Sequence, residues 1–293
     1  MRFTYAETFT DPMYLAPLAQ AAEDAGYDSF AVPDSVIYPA ESDTTYPYTE
    51  DGNREFIEDK PIIEPFSLIP YLAATTSRIR FTTFVLKLAV RPAVLVAKQA
   101  ASVAVLSDNR LRLGVGLSPW PEDFIALGQP WKARGKRMDE MIDIIRGLTG
   151  GGYHEHHGEY LDMAKLKICP TPTKPIPILI GGHADAALRR AAIRGDGWIH
   201  GGDGGGDPDD LDRYIARLHE LREEHGTTDR PFEIHVISMD AFSVDGVRRL
   251  EDKGVTDVVV GFRYPYTTEP DTQPLQEKLD LLRRFAETTI SAC

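Results

Sequence analysis

Cysteine is nearly absent: Cys169 and Cys293 are the only two in 293 residues, and neither stands in a paired ligand spacing such as C-x-x-C. No disulfide framework can be built from them, and both read as inert thiols in a reducing compartment. No run of about 18 apolar residues occurs, which removes a membrane-spanning helix. The N-terminus, MRFTYAETFT, enters a strand-like pattern without a charged and then apolar leader, so the expected location is cytoplasmic. Cations are in deficit, 32 Lys and Arg against 45 Asp and Glu, for a formal net charge of −13. A surface of that sign repels phosphate backbones and anionic lipid, so neither nucleic acid nor a membrane is expected as a partner. Short-period repeats and low-complexity tails are missing too, which excludes solenoids and disordered linkers.

What remains is a chain that is 42% hydrophobic and 26% charged, long enough to bury a large core. Strand-like apolar runs fall at 2–7, 29–33, 79–88, 111–116, 176–180, 197–200, 232–239 and 257–262, and each leads into a helix-like stretch. Helix starts are marked by Asp11-Pro12, Pro65, Pro92, Arg134, Ala184, Pro208 and Pro274, and Gly26 is a natural cap for the first. Such alternation is the signature of parallel strands with crossover helices. Eight strands in just under 300 residues match a (β/α)₈ TIM barrel better than a doubly wound sheet, so the expectation is one α/β domain over 1–293.

Two stretches exceed ordinary loop length, 36–64 after the second strand and 118–133 after the fourth. Both leave the C-terminal ends of barrel strands, where barrel active sites sit. Gly114-x-Gly116 ends the fourth strand, and glycines there either serve a tight rim or let backbone approach a ligand. The segment PILIGGHADAALRRAA is sharper. A buried strand, Gly181-Gly182 and a helix opening near Ala184 leave helix N-terminal amides free to meet a phosphate. Asp34 ends the second strand, where it either caps the next turn or faces the pocket. Glu7 and Arg263 end the first and eighth, so a barrel would bring three charged groups to one rim. The tract Tyr153-His154-Glu155-His156-His157 has metal-ligand residue types, but no carboxylate and His pair at helical spacing completes a site. It reads as a solvated hairpin, and no metal is expected. His183 and His200 each follow a barrel strand, where a His serves as a catalyst or simply as a hydrogen-bonding group. Tyr38, Tyr46, Tyr48, Trp120 and Trp131 either line an apolar mouth or pack on the rim.

In their order, several segments resemble the bacterial luciferase-like monooxygenase superfamily, in the branch that uses the deazaflavin coenzyme F420. They are AEDAGYDSFAVPD, SRIRFTTFVLKLAVRPAVLVAKQAASVAVLSDNRLRLGVG, the helix over 134–146 with Glu140, HGEYLDM, CPTPTKPIPILIGG and GDGW. The resemblance implies a (β/α)₈ barrel with insertions and a tricyclic ring at its C-terminal mouth. It puts the cofactor phosphate on Gly181, Gly182, His183 and Ala184, and a non-prolyl cis peptide at Phe84-Val85 behind the ring. It also sets Gly116, Leu117, Ser118 and Trp120 beside the cofactor's side chain, with Leu117 near the place of an arginine that contacts flavin phosphate in luciferases. Family members often carry Asp-His after the second strand; this chain has Asp34-Ser35, and a serine hydroxyl is a poor base near neutral pH. The reading that results is a homodimeric F420-dependent oxidoreductase moving hydride to or from a small organic substrate, with Glu7, Asp34, Ser35 and Arg263 as catalytic candidates. The alternatives are a two-component monooxygenase using reduced FMN from a separate reductase, and a non-catalytic flavin-binding protein.

Overall fold

The structure, a computed structural model, describes residues 1–7, 9–46, 49, 51–202 and 210–293. Among them the strands are β1 (Arg2–Ala6), β2 (Ser29–Val32), β3 (Arg80–Thr83), β4 (Leu86–Lys87), β5 (Leu111–Gly116), β6 (His154–His157), β7 (Asp162–Leu166), β8 (Ile178–Gly181), β9 (Gly197–His200), β10 (Glu233–Ile237) and β11 (Asp257–Val260). The α-helices are α1 (Leu15–Asp24), α2 (Pro65–Ala74), α3 (Ala93–Leu106), α4 (Pro121–Ala126), α5 (Arg134–Thr149), α6 (Asp185–Arg194), α7 (Asp210–Glu224), α8 (Val244–Asp252) and α9 (Leu275–Thr288).

Nine strands form one parallel sheet in the order β3-β2-β1-β11-β10-β9-β8-β5-β4, and β3 also pairs with β5, so the ring closes. β3 and β4 are two pieces of the single strand expected over 79–88, interrupted where the Phe84–Val85 peptide is cis. The barrel therefore has the eight positions the alternating pattern predicts. Strands such as Asp257–Val260, three valines after a buried aspartate, are buried along their whole length, as strands covered by helices outside and packed side chains inside must be. Tyr5 illustrates the packing: it stands beside Phe30 and Val260 in register and has no exposed surface.

Three departures from the expected elements have local causes. Asp11 accepts from the Met13 amide, making Pro12–Tyr14 a 3₁₀ turn that precedes α1 rather than its first turn. The expected loop 118–133 contains α4, with Pro121 at its start and Glu122 and Asp123 in its first turn, both favourable there. α8 is short and mostly charged, which hides it from an apolar count, yet Ser243 caps it by accepting from the Gly246 amide. The helix expected to begin at Pro208 runs over Asp210–Glu224; Pro208 itself lies outside the described residues. The histidine tract forms β6, antiparallel to β7. No described helix is long and apolar enough to cross a membrane.

Two of the resemblance segments prove to be braces. Glu140 on α5 accepts from the amides of Glu159, Tyr160 and Leu161 and so fixes the turn between β6 and β7. Asp196 accepts from the Ile178 amide and from Arg146, both at 2.8 Å, which ties the start of β8 to α5.

The N-terminal end of the barrel is closed by charge. Arg2 lies 2.6 Å from Asp257 and 3.2 Å from Glu233, while Arg112, almost fully buried, reaches Asp28, Asp257 and Glu233 at 3.0–3.4 Å. His235 adds a contact of 2.9 Å to Glu233. Burial pushes both carboxyls up, but His235 and the guanidiniums outweigh it and hold Glu233 and Asp257 below their ordinary values. Ligand atoms of Glu233, His235 and Asp257 come within 4.8 Å of one another, a spacing that would suit a cation, but Arg2 and Arg112 already neutralise that group.

Candidate active site

At the opposite end the strands open into a cavity of about 690 Å³, the size of a small-molecule or cofactor site. The expected site residues arrive on its wall from separate strand ends: Asp34 and Ser35 after β2, Phe84 and Val85 before β4, and Arg263 after β11. Gly116 ends β5 and is followed by Leu117, Ser118 and Trp120; Gly181 ends β8 and is followed by Gly182, His183 and Ala184. Glu7 is not on this wall. Its carboxylate is buried against α9, 2.8 Å from Lys278 Nζ and accepting from the Tyr5 hydroxyl at 2.5 Å. The three charged strand ends therefore do not converge: Asp34 and Arg263 reach the cavity, and Glu7 is taken up by Lys278.

Of the two roles open to it, Asp34 takes the second, and its hydrogen bonds go to residues about β4 and not to the turn that follows it. It faces the cavity wall, but its oxygens accept from both Arg91 nitrogens at 2.8 and 2.9 Å and from the Lys87 amide at 2.8 Å. A carboxylate so engaged holds the rim between β2 and β4 rather than offering a free base. Lys87, on the wall and buried, sits 2.8 Å from Asp123 and 4.2 Å from the centre of the Trp120 ring. Burial lowers its pKa, with Asp123 working in the other direction. Arg190 on α6 also reaches the wall, held by Asp139 at 2.5 Å and by the Gly135 carbonyl. Arg263 donates to the Glu269 carbonyl through Nη2, and its Nη1 has no hydrogen-bond partner among the described residues.

The Gly181–Ala184 turn is the most specialised part of the wall. Gly182 has φ +118°, a conformation that side chains rarely adopt, and a Cβ there would come within 3.2 Å of Ala187. A Cβ on Gly116 would lie 2.7 Å from the Val85 side chain, so that glycine keeps the floor open to the Phe84–Val85 segment. Ala184 precedes α6 without any side-chain cap, leaving the first amides of the helix to an outside acceptor. Trp198 Nε1 donates to the Gly182 carbonyl at 2.9 Å, and His183 Nε2 accepts from the Gly201 amide at 3.2 Å. The His183 ring stacks between His200 and Tyr214, with centroids at 4.6 and 4.9 Å. Burial lowers the pKa of His200 to about 4, so it is neutral at physiological pH. A turn opened by two glycines, free helix amides and a cavity of this volume fit the phosphate and ring of a flavin-like cofactor.

Lys87, Arg190, Phe9, Phe56 and Tyr266 were not singled out by the sequence. Lys87 had one available signal, a lone cation inside the apolar stretch Phe84–Val90, where an unpaired charge would not be tolerated. Of the loop aromatics, Tyr46 and Trp120 line the cavity, Tyr38 and Trp131 do not, and Tyr48 lies outside the described residues. Trp131 instead packs edge-on against Phe124 at 5.1 Å.

Comparison with known proteins fits this geometry. The family model for luciferase-like monooxygenases matches residues 3–245. An uncharacterized protein of Mycobacterium tuberculosis is 64% identical over 291 residues, 99% of each chain. An F420-dependent glucose-6-phosphate dehydrogenase of Nakamurella multipartita is 34% identical over 210 residues, which is 68% of this chain and 56% of that protein. Among solved structures, the coenzyme F420-dependent tetrahydromethanopterin reductase of Methanopyrus kandleri superposes with a TM-score of 0.73 at 16% identity, covering 99% and 98% of the two chains, a likeness of fold alone. With the family match running through most of the barrel, the chain belongs to the luciferase-like monooxygenase family and is an oxidoreductase.

Proposed function

We propose that the protein is an F420-dependent oxidoreductase that moves hydride between the deazaflavin and a small organic substrate. The observation that carries the cofactor's place is the turn from Gly181 to Ala184, with its open amides on the cavity wall. Leu117 on the same wall supports F420 over FMN, because it stands near the place of the arginine that meets flavin phosphate in luciferases. F420, when bound, supplies an obligate two-electron hydride carrier.

The chain's own residues divide the remaining work. The amides of Gly182, His183 and the first turn of α6 take the phosphate, and Arg190 contributes positive charge beside them. Phe84, Val85 and Gly116 form the surface against which a planar ring lies. Asp34, through Arg91 and the Lys87 amide, holds the rim in place without exchanging a proton. Ser35 and Arg263 face the substrate, and each orients an acceptor oxygen by donating a hydrogen bond. Exposed Tyr71 on α2 and Val94, Leu95, Val105 and Leu106 on α3 support association into a homodimer, which sedimentation would measure.

The deciding experiment is a fluorescence and absorbance titration of the apo-protein with F420 and separately with FMN. Micromolar or tighter F420 binding with weak FMN binding is expected. The reverse preference would overturn the proposal in favour of a flavin monooxygenase fed by a separate reductase.

A further inference from the structure

The cavity has two dissimilar halves. Around the closed ring β8 stands four positions from β1, so the Gly181–Ala184 turn and the loops after β11, β1 and β2 face each other across the mouth. Those loops bring together Phe9, Tyr46, Phe56 and Tyr266, and Trp120 reaches in from beyond β5. Ring centroids lie 5.0 Å apart for Phe56 and Tyr266, 5.2 Å for Tyr46 and Phe56, 5.8 Å for Tyr46 and Trp120, and 6.1 Å for Phe9 and Phe56. This cluster is separate from the barrel core, is built wholly from rim loops, and keeps Phe9, Tyr46 and Tyr266 only partly buried on the cavity wall. Rings gathered at a mouth, with part of their surface left open, form a binding surface rather than a completed core.

The polar groups of the wall point the same way. Lys87 is paired with Asp123 and Asp34 with Arg91, and both partners lie off the wall. Arg190 is likewise held by Asp139, so the wall's cationic side chains are committed except for Arg263, whose Nη1 has no hydrogen-bond partner among the described residues; the Trp120 indole N–H has none either, a single donor at the edge of an aromatic ring. A phosphorylated sugar would need several uncommitted cations and a hydrogen-bond partner for each hydroxyl, and unpaired polar groups of a ligand against aromatic walls are unfavourable.

We infer that the half of the cavity opposite the Gly181–Ala184 turn takes a planar, uncharged, apolar ring system and rejects sugar phosphates. The inference names the substrate class for the function proposed above and rests on the cofactor occupying the glycine-turn half. It is tested by calorimetric titration of the full chain, with and without F420, against 2-naphthol and against glucose 6-phosphate. Binding of 2-naphthol at least about tenfold tighter than of the sugar phosphate is expected. Phe56→Ala should weaken 2-naphthol about tenfold while leaving F420 affinity within about twofold, since a buried aromatic contact is lost far from the glycine turn. Tyr266→Leu, which keeps apolar volume and removes the ring, provides a second variant with a smaller loss in the same direction. Equal or tighter binding of glucose 6-phosphate, or 2-naphthol affinity unchanged in both folded variants, would overturn the inference. Loss of F420 binding with 2-naphthol binding intact would instead remove the cofactor assignment and leave the substrate class standing.

Discussion

At the N-terminal end of the barrel Arg2, Arg112, Glu233 and Asp257 bond to one another, with Arg112 reaching Asp257 across the axis. At the C-terminal end Asp34, Lys87 and Arg190 are each paired with a residue behind the cavity wall, which leaves Arg263 as the charged group there with an N–H that has no partner among the described residues. The same residue types thus act at one end as a plug and at the other as a frame. The difference lies in where the partners stand. Pairs directed across the axis fill it, whereas pairs directed outward toward Arg91, Asp123 and Asp139 hold the strand ends apart from one another.

The sharpest way to break this contrast is to remove one member from each end. Arg112→Leu leaves Asp257 and Glu233 short of a buried partner and should lower stability by about 3–5 kcal/mol, since an uncompensated buried charge is strongly unfavourable. Urea denaturation would read that loss, and F420 affinity of the folded protein should be unchanged. Gly182→Val should do the opposite. It crowds Ala187 and demands a backbone conformation a β-branched residue resists, so cofactor affinity should fall about a hundredfold with a smaller stability loss of about 1–3 kcal/mol. A Gly182→Val protein with unchanged F420 affinity would disprove the phosphate assignment.

The contrast also explains what the sequence disclosed. The barrel is legible because each buried strand is a continuous apolar run, and the turn at Gly181-Gly182 is legible because two glycines before a helix have few purposes. The cofactor half therefore rests on local patterns. The substrate half does not: Phe9, Phe56 and Tyr266 lie far apart in the chain and meet only when the barrel closes. Glu7 misleads for the same reason. At the end of β1 it has the position of a catalytic acid, but its partner Lys278 comes from α9, and no local pattern announces a pair separated by 271 residues. Likewise α8 was hidden by its charge, although the Ser243 cap was present to be read.

The smallest expected effects separate the two ends by pH. Near the upper end, His200 is neutral in the folded protein down to about pH 4, whereas an unfolded histidine takes its proton near 6.5. The unfolded state therefore binds more protons between those values, so stability falls as pH drops from about 6.5 to about 4 and levels off below. At the lower end, Asp257 and Glu233 are held below ordinary values of 3.8 and 4.5. Their contribution is complete above those values and is lost as pH falls through the lower folded ones. Equilibrium unfolding followed across pH 3 to 8 should thus show two consecutive slopes. His200→Gln should flatten the first and leave the second, and Asp257→Asn should shrink the second, to which Glu23, Glu140 and Asp271 also contribute, and leave the first. A single variant that removed both slopes would mean that the two ends titrate as one network, and the separation between plug and frame would fail.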